Sequence, residues 1–134
     1  MKKICIIKSS YNSKITNKLS NNAKKVLLKN DKIRIYDLEV PGAFEIPVMI
    51  SKLIKRYDGF IAVGCIIKGQ TKNFDLISEA ITNGIMQLAI KEKKPIGNAI
   101  LTCFNINQAK NRFDRGAEAA NAVISVLNNG SKKI

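Results

Sequence analysis

Residues 59–67 read GFIAVGCII, and KGQTKNFD (68–75) follows directly. The first stretch is almost wholly apolar, too short to span a bilayer, which takes roughly 18 residues. It is also too unbroken for a strand with one face in water. A glycine at its head and a lysine just behind it bound the run, so it predicts a strand buried on both faces, the central strand of a parallel sheet. The segment behind it is a turn into a helix: glycine, small polar groups, lysine, then Phe74-Asp75.

The pattern on either side repeats this unit. KKICIIKSS at the start is a short apolar run ending in small polar residues, a strand and then a loop. Ile15, Leu19, Ala23, Val26 and Leu27 have helical spacing over 15–29. IRIYDLEV alternates from Ile33 as a strand. Pro41-Gly42 turns the chain into a helix from near Phe44 to Lys55, with Pro47 in its first turn, where no amide donor is needed. A helix over 75–91 carries Leu76, Ala80, Ile81, Ile85, Leu88 and Ala89 on one expected apolar face. A strand over 96–103 follows Pro95. Asn105 caps a short helix to about Arg112, and Gly116 opens a last helix ending near Asn129-Gly130.

Strands alternating with helices predict one α/β domain over residues 1–134, a three-layer α/β/α sandwich around a four-stranded parallel sheet. Ligands in such folds bind beyond the carboxyl ends of the strands. That rule selects four loops: Ser9–Ser13, Val40–Glu45, Lys68–Phe74 and Thr102–Asn105.

Of 134 residues, 46% are hydrophobic and 25% charged, a globular composition. The opening apolar run, Ile4–Ile7, is too short for a signal peptide, and the expected location is the cytoplasm. Cys5, Cys65 and Cys103 are far apart, in apolar runs, and the chain has no histidine. Neither a zinc site nor a disulfide framework fits; buried thiols in a reducing compartment do. A net charge of +13 raises nucleic acid as a partner. Nineteen of the 23 basic residues are dispersed lysines, with four arginines and no tryptophan, which argues against it. The charge still favours phosphorylated substrates.

Within the four loops, Lys68, Gly69, Gln70 and Thr71 at a helix start could cradle an anion or simply connect a strand to a helix. Glu45 could bind ligand hydroxyls or favour a helix dipole. Arg112 and Arg115, three apart, could fork onto a phosphate or pair with Asp114. Tyr11 could stack on a planar ring or pack. Without histidine no Ser-His-Asp or Cys-His pair exists. The set suits a planar polyhydroxylated molecule and a small phosphate ester.

VPGAFEIP (40–47), GCIIKGQTKNFD (64–75), EAITNGIMQLAI (79–90) and RGAEAA (115–120) together resemble the lumazine synthase family of riboflavin biosynthesis, in order from about Lys3 to Leu127. The resemblance implies a flavodoxin-like sandwich. It also implies condensation of 5-amino-6-(D-ribitylamino)uracil with 3,4-dihydroxy-2-butanone 4-phosphate to 6,7-dimethyl-8-ribityllumazine. No metal or organic cofactor would be needed. Family members are homo-oligomers built of pentamers, some arranged as sixty-subunit capsids, with sites between neighbouring subunits; a pentamer is expected here, since the charge would make a closed shell self-repelling.

The resemblance further implies that Tyr11 stacks on the pyrimidine and that Ala43, Phe44 and Glu45 line the ribityl and pyrimidine site. Cys65, Ile66 and Ile67 would supply backbone contacts, Gln70 and Thr71 would cradle the phosphate, and Arg112 would pair with it. Arg115 stands where a lysine near that phosphate is usual. The departures are Asn73 at the position of the proton-transfer histidine, Asn98 at that of an aromatic on the fourth strand, and Ser10 at that of an arginine. The connection after Arg112 is shorter, and the family's extra N-terminal strand is expected to be absent, which would weaken association. Asn73 and Asn98 leave open a lumazine- or flavin-binding relative, or a scaffold of the same fold, with impaired or lost catalysis. A riboflavin synthase of the same fold is disfavoured by the intact PGAFEIP.

Overall fold

A computed structural model describes residues 1–70 and 72–130. The strands are β1 (Lys2–Ser9), β2 (Ile33–Val40), β3 (Gly59–Ile67) and β4 (Ile96–Cys103). The helices are α1 (Ser13–Leu27), α2 (Ile46–Leu53), α3 (Phe74–Glu92), α4 (Ile106–Lys110) and α5 (Arg115–Asn128). Short 3-10 turns at Ala43–Glu45 and Lys68–Gln70 lead into α2 and α3. The strands pair in the order β2-β1-β3-β4, all parallel. The expected element order and four-stranded parallel sheet both hold.

Period-two alternation divides the core into two layers. Ile4, Ile6, Ile61, Val63, Cys65, Ile67, Leu101 and Cys103 pack toward α1 and α5 with Leu19, Ala23, Ala120 and Val123. Cys5, Ile7, Phe60, Ala62, Ile66 and Ile100 face α2 and α3 with Ile46, Ile50, Ile81 and Ile85. All nine residues of β3 are buried, as a strand covered on both faces must be. Pro47 stands in the first turn of α2.

Gly116 opens the last helix for a reason of packing. A Cβ there would lie 2.0 Å from the Leu19 carbonyl oxygen, so α5 lies directly on α1 only because this residue has no side chain. Gly97 does the same for β4 beneath Ala119, with 2.6 Å to the Ala119 carbonyl oxygen.

The expected apolar face of α3 is partly displaced. Ile77, Ile81, Ile85 and Leu88 form the stripe against the sheet, while Leu76 and Ala80 point to solvent. The helix stands over the β3–β4 edge, so only one narrow stripe meets the core. Met86 and Ile90, 58% and 68% exposed, continue an apolar surface outward.

Candidate functional site

The sheet order reverses between β1 and β3: from β1 the chain moves outward to β2, and from β3 outward to β4. A crevice opens beyond the carboxyl ends of the strands at such a switch point. There lies a cavity of about 160 Å³ lined by Tyr11, Gly42, Ala43, Phe44, Cys65, Ile66, Ile67, Gln70 and Ile77. Seven of the residues expected at the site meet in it. Tyr11 and Phe44, 58% and 64% exposed, are large apolar surfaces left to solvent on its rim, the arrangement a planar ligand needs.

Three loops are tied together to form it. The Ser10 amide donates to the Val40 carbonyl at 2.8 Å and the Tyr11 amide to the Pro41 carbonyl at 3.0 Å, joining the ends of β1 and β2. The Asn12 Nδ2 donates to the Cys65 carbonyl at 3.1 Å and to Gln70 Oε1 at 3.2 Å, joining β1 to the end of β3. Glu45 turns back on its own segment: its Oε1 accepts the Gly42 N–H at 2.9 Å, and its amide donates to the Gly42 carbonyl at 3.2 Å. That ring holds the 3-10 turn and ties the half-buried carboxylate to Gly42, a residue of the cavity wall.

Beyond β3, Lys68 Nζ stands 5.3 Å from the Phe104 ring centroid, and Phe104 lies 6.3 Å from Phe74. Asn73 precedes α3 with an exposed side chain that makes no bond to the first-turn amides; its carbonyl accepts the Ile77 N–H at 2.9 Å. Thr71, expected in the anion cradle, lies outside the described residues. Asn105 caps α4 as expected, its Oδ1 accepting the Gln108 N–H at 3.0 Å.

Asn98, Arg112 and Arg115 are elsewhere. Asn98 pairs with Ala62 and Cys103 with Ile67, so Asn98 lies five residues, about 16 Å, below the carboxyl end of the edge strand β4. Its Oδ1 accepts the Ile100 N–H at 2.9 Å, and its carbonyl accepts Arg115 Nε–H at 3.1 Å. Both bonds cover the free edge of β4. Arg112 is exposed beyond α4, close enough to Cys103 to favour its thiolate, though burial outweighs this and the thiol is shifted upward. Arg115 is held on the Asn98 carbonyl, while Arg112, whose carbonyl accepts the Arg115 N–H at 3.1 Å, keeps its side chain exposed beside Cys103. Neither forms an ion pair with Asp114 among the described residues. Beside Asn98 an apolar groove of about 470 Å³ runs between α3 and α5, past Met86, Ile90, Pro95 and Val126.

All three thiols are buried and free. Burial pushes Cys65 up to about 12, helped by Cys103, and Cys5 up to about 11, helped by the Asp37 charge. None is poised as a nucleophile.

Sequence reasoning missed Asn12, Ile77 and Phe104. Asn before a helix is a residue type that tolerates left-handed backbone, a usable signal for Asn12. Its partners, 53 and 58 residues away, carried none.

A parallel sheet with a cavity at its switch point, Tyr11 and Phe44 on the rim and Gln70 in the wall defines an α/β protein with a small-molecule site at the strand ends. The family model described as 6,7-dimethyl-8-ribityllumazine synthase matches residues 1–130. A Limosilactobacillus reuteri protein of that name is 40% identical over 128 residues, covering 92% of this chain and 84% of its own length. Its namesake in Verminephrobacter eiseniae is 40% identical over 131 residues (93% and 84%), and that in Sulfurimonas denitrificans 35% over 135 residues (94% and 88%). The chain belongs to the 6,7-dimethyl-8-ribityllumazine synthase family.

Proposed function

We propose that this protein condenses 5-amino-6-(D-ribitylamino)uracil with 3,4-dihydroxy-2-butanone 4-phosphate to 6,7-dimethyl-8-ribityllumazine, releasing phosphate and water. The family match over residues 1–130 carries the assignment. The amine adds to the ketone and loses water to give an imine; phosphate leaves, the ring closes on the second nitrogen, and a second water departs. Tyr11 stacks on the pyrimidine over the backbone of Ile66 and Ile67. Ala43, Phe44 and Glu45 line the ribityl side, where the free carboxylate oxygen of Glu45 accepts a hydroxyl. Gly69, Gln70 and Thr71 hold the phosphate at the start of α3.

Asn73 takes the place of a titrating group. It hydrogen-bonds substrate but moves no proton at neutral pH. An amine, a reactive ketone and a phosphate that can itself carry protons leave positioning and electrostatics to supply most of the acceleration.

The site is completed by a second copy. A cavity of about 160 Å³ is small against the roughly 300–1,000 Å³ of ordinary small-molecule sites. Asn98 and Arg115 lie at the free edge of β4, next to an apolar groove open to solvent, and Arg112 is exposed at the carboxyl end of that strand. A ring of copies sets that edge against the Tyr11 crevice of a neighbour, bringing Arg112 to the phosphate and Arg115 close to it. A pentamer is the assembly we favour; a larger shell would have to offset +13 per chain with bound anions. Three free buried thiols fit the reducing cytoplasm.

The test is direct. Purified protein is mixed with the two substrates and lumazine is followed by its absorbance, with mass measured by sedimentation. No product at saturating substrate overturns the assignment, and an active monomer overturns the shared site.

A further inference from the structure

Asn12 has φ 60° and ψ 44°, a left-handed conformation that costs an L-residue energy and that asparagine bears better than most. The only other non-glycine residue with positive φ among the described residues, Lys93, merely ends α3. Asn12 sits at the N-terminus of α1, where asparagine usually turns its side-chain oxygen onto the first amides. It makes no such bond. The backbone strain instead sends the side chain across the switch point to Cys65 and Gln70.

The orientation of this chain of bonds follows from chemistry. The Cys65 carbonyl can only accept, so the Asn12 atom facing it is Nδ2, a donor. The second Nδ2 hydrogen then requires an acceptor, which fixes Oε1 of Gln70 toward Asn12. Gln70 Nε2 is thereby turned away from Asn12, with no hydrogen bond from it among the described residues, at the wall of the crevice that Gln70 lines. An amide free to flip would offer an acceptor there as readily as a donor, and phosphate oxygens reject an acceptor.

The geometry points to Asn12 as a positioning residue that acts through Gln70, locking its amide as a donor for the phosphorylated substrate. This rests on the reaction proposed above. Asn12→Gly keeps the left-handed backbone and removes the latch. Asn12→Asp keeps the shape but sets a carboxylate against two acceptors.

Steady-state kinetics on Asn12→Gly, Asn12→Asp, Gln70→Ala and the double variant Asn12→Gly/Gln70→Ala test the lock, with melting temperatures alongside. The expected result is a KM for the butanone phosphate raised about tenfold in each glycine or alanine single variant, and more in Asn12→Asp. The double variant is no worse than its worse parent. The KM for the pyrimidine stays within about twofold and the melting temperature within about 3 °C, a split that general loosening of the fold would not give. A wild-type KM in Asn12→Gly, or losses that multiply in the double variant, overturns the lock. In the substrate-free protein, Gln70→Ala must also shift the side-chain amide resonance of Asn12 in a nitrogen-15 spectrum. An unmoved resonance refutes the latch whatever the activity. A shifted resonance in a protein that makes no lumazine leaves the latch and refutes the reaction.

Discussion

The two helical faces of the sheet are finished to different degrees. On the α1–α5 face, Gly116 lets the helices touch at the Leu19 backbone, and Leu19, Ala23, Ala120 and Val123 are buried without remainder. On the α2–α3 face, Ile81 and Ile85 are buried, but Leu76, Met86 and Ile90 of the same helix face water. A monomer gains nothing from such exposure. The sealed face holds the fold of one subunit; the open face and the adjoining edge of β4 are where the proposed neighbouring copy would sit.

A charge separates these roles most sharply. Leu19→Lys buries an ammonium without a partner, a loss of several kcal/mol that approaches the whole stability of a domain. The expected outcome is insoluble or unfolded protein by circular dichroism. Ile90→Lys leaves the ammonium in water, so the subunit folds. It sediments as a smaller species and forms lumazine at least about a hundredfold more slowly, the loss expected when Arg112 no longer reaches the phosphate. An Ile90→Lys variant that stays assembled and active would break the comparison.

Two glycines sharpen it. Gly116→Ala forces α5 off α1 and should cost about 3 kcal/mol in urea titration. Gly84→Ala on α3 meets nothing nearer than Pro47 at 3.6 Å, so its expected effect runs from neutral to about 1 kcal/mol of stabilisation through helix propensity.

A further check is one of pH. Folded-state values of about 11 for Cys5 and about 12 for Cys65 lie above the ordinary 9.0, so stability is fully present below pH 9. Above it the unfolded chain loses thiol protons that the folded chain keeps, and stability falls between pH 9 and 12. Urea midpoints at pH 8, 10 and 11 check this, and Cys65→Ala should flatten the fall.

Much of this was legible in the residues. Period-two runs and Pro-Gly, Asn and Gly punctuation mark local events, so strands such as Ile96–Cys103 and caps such as Asn105 fall where expected. The loops at the strand ends follow from topology alone, which is why Tyr11, Phe44 and Gln70 meet. What escaped depends on contacts far apart in sequence. Helical spacing says that α3 has an apolar face but not how wide a stripe the sheet edge can cover, so Leu76 falls on the solvent side. Gly116 opens the last helix as expected, but the reason a glycine is needed there, the Leu19 carbonyl 97 residues away, leaves no local signal. Two arginines three residues apart suggest a fork, yet Arg115 is drawn to the free carbonyl of Asn98.

We propose that the fold and crevice make a lumazine synthase that works without a titrating side chain at position 73. The direct measurement is the rate of lumazine formation from the two substrates, for wild type and Asn73→His, across pH 6 to 8. The account predicts product from the wild type at a kcat nearly independent of pH, and a kcat about tenfold or more higher in Asn73→His that follows the titration of the new imidazole. A wild type that forms no lumazine at any substrate concentration would contradict it.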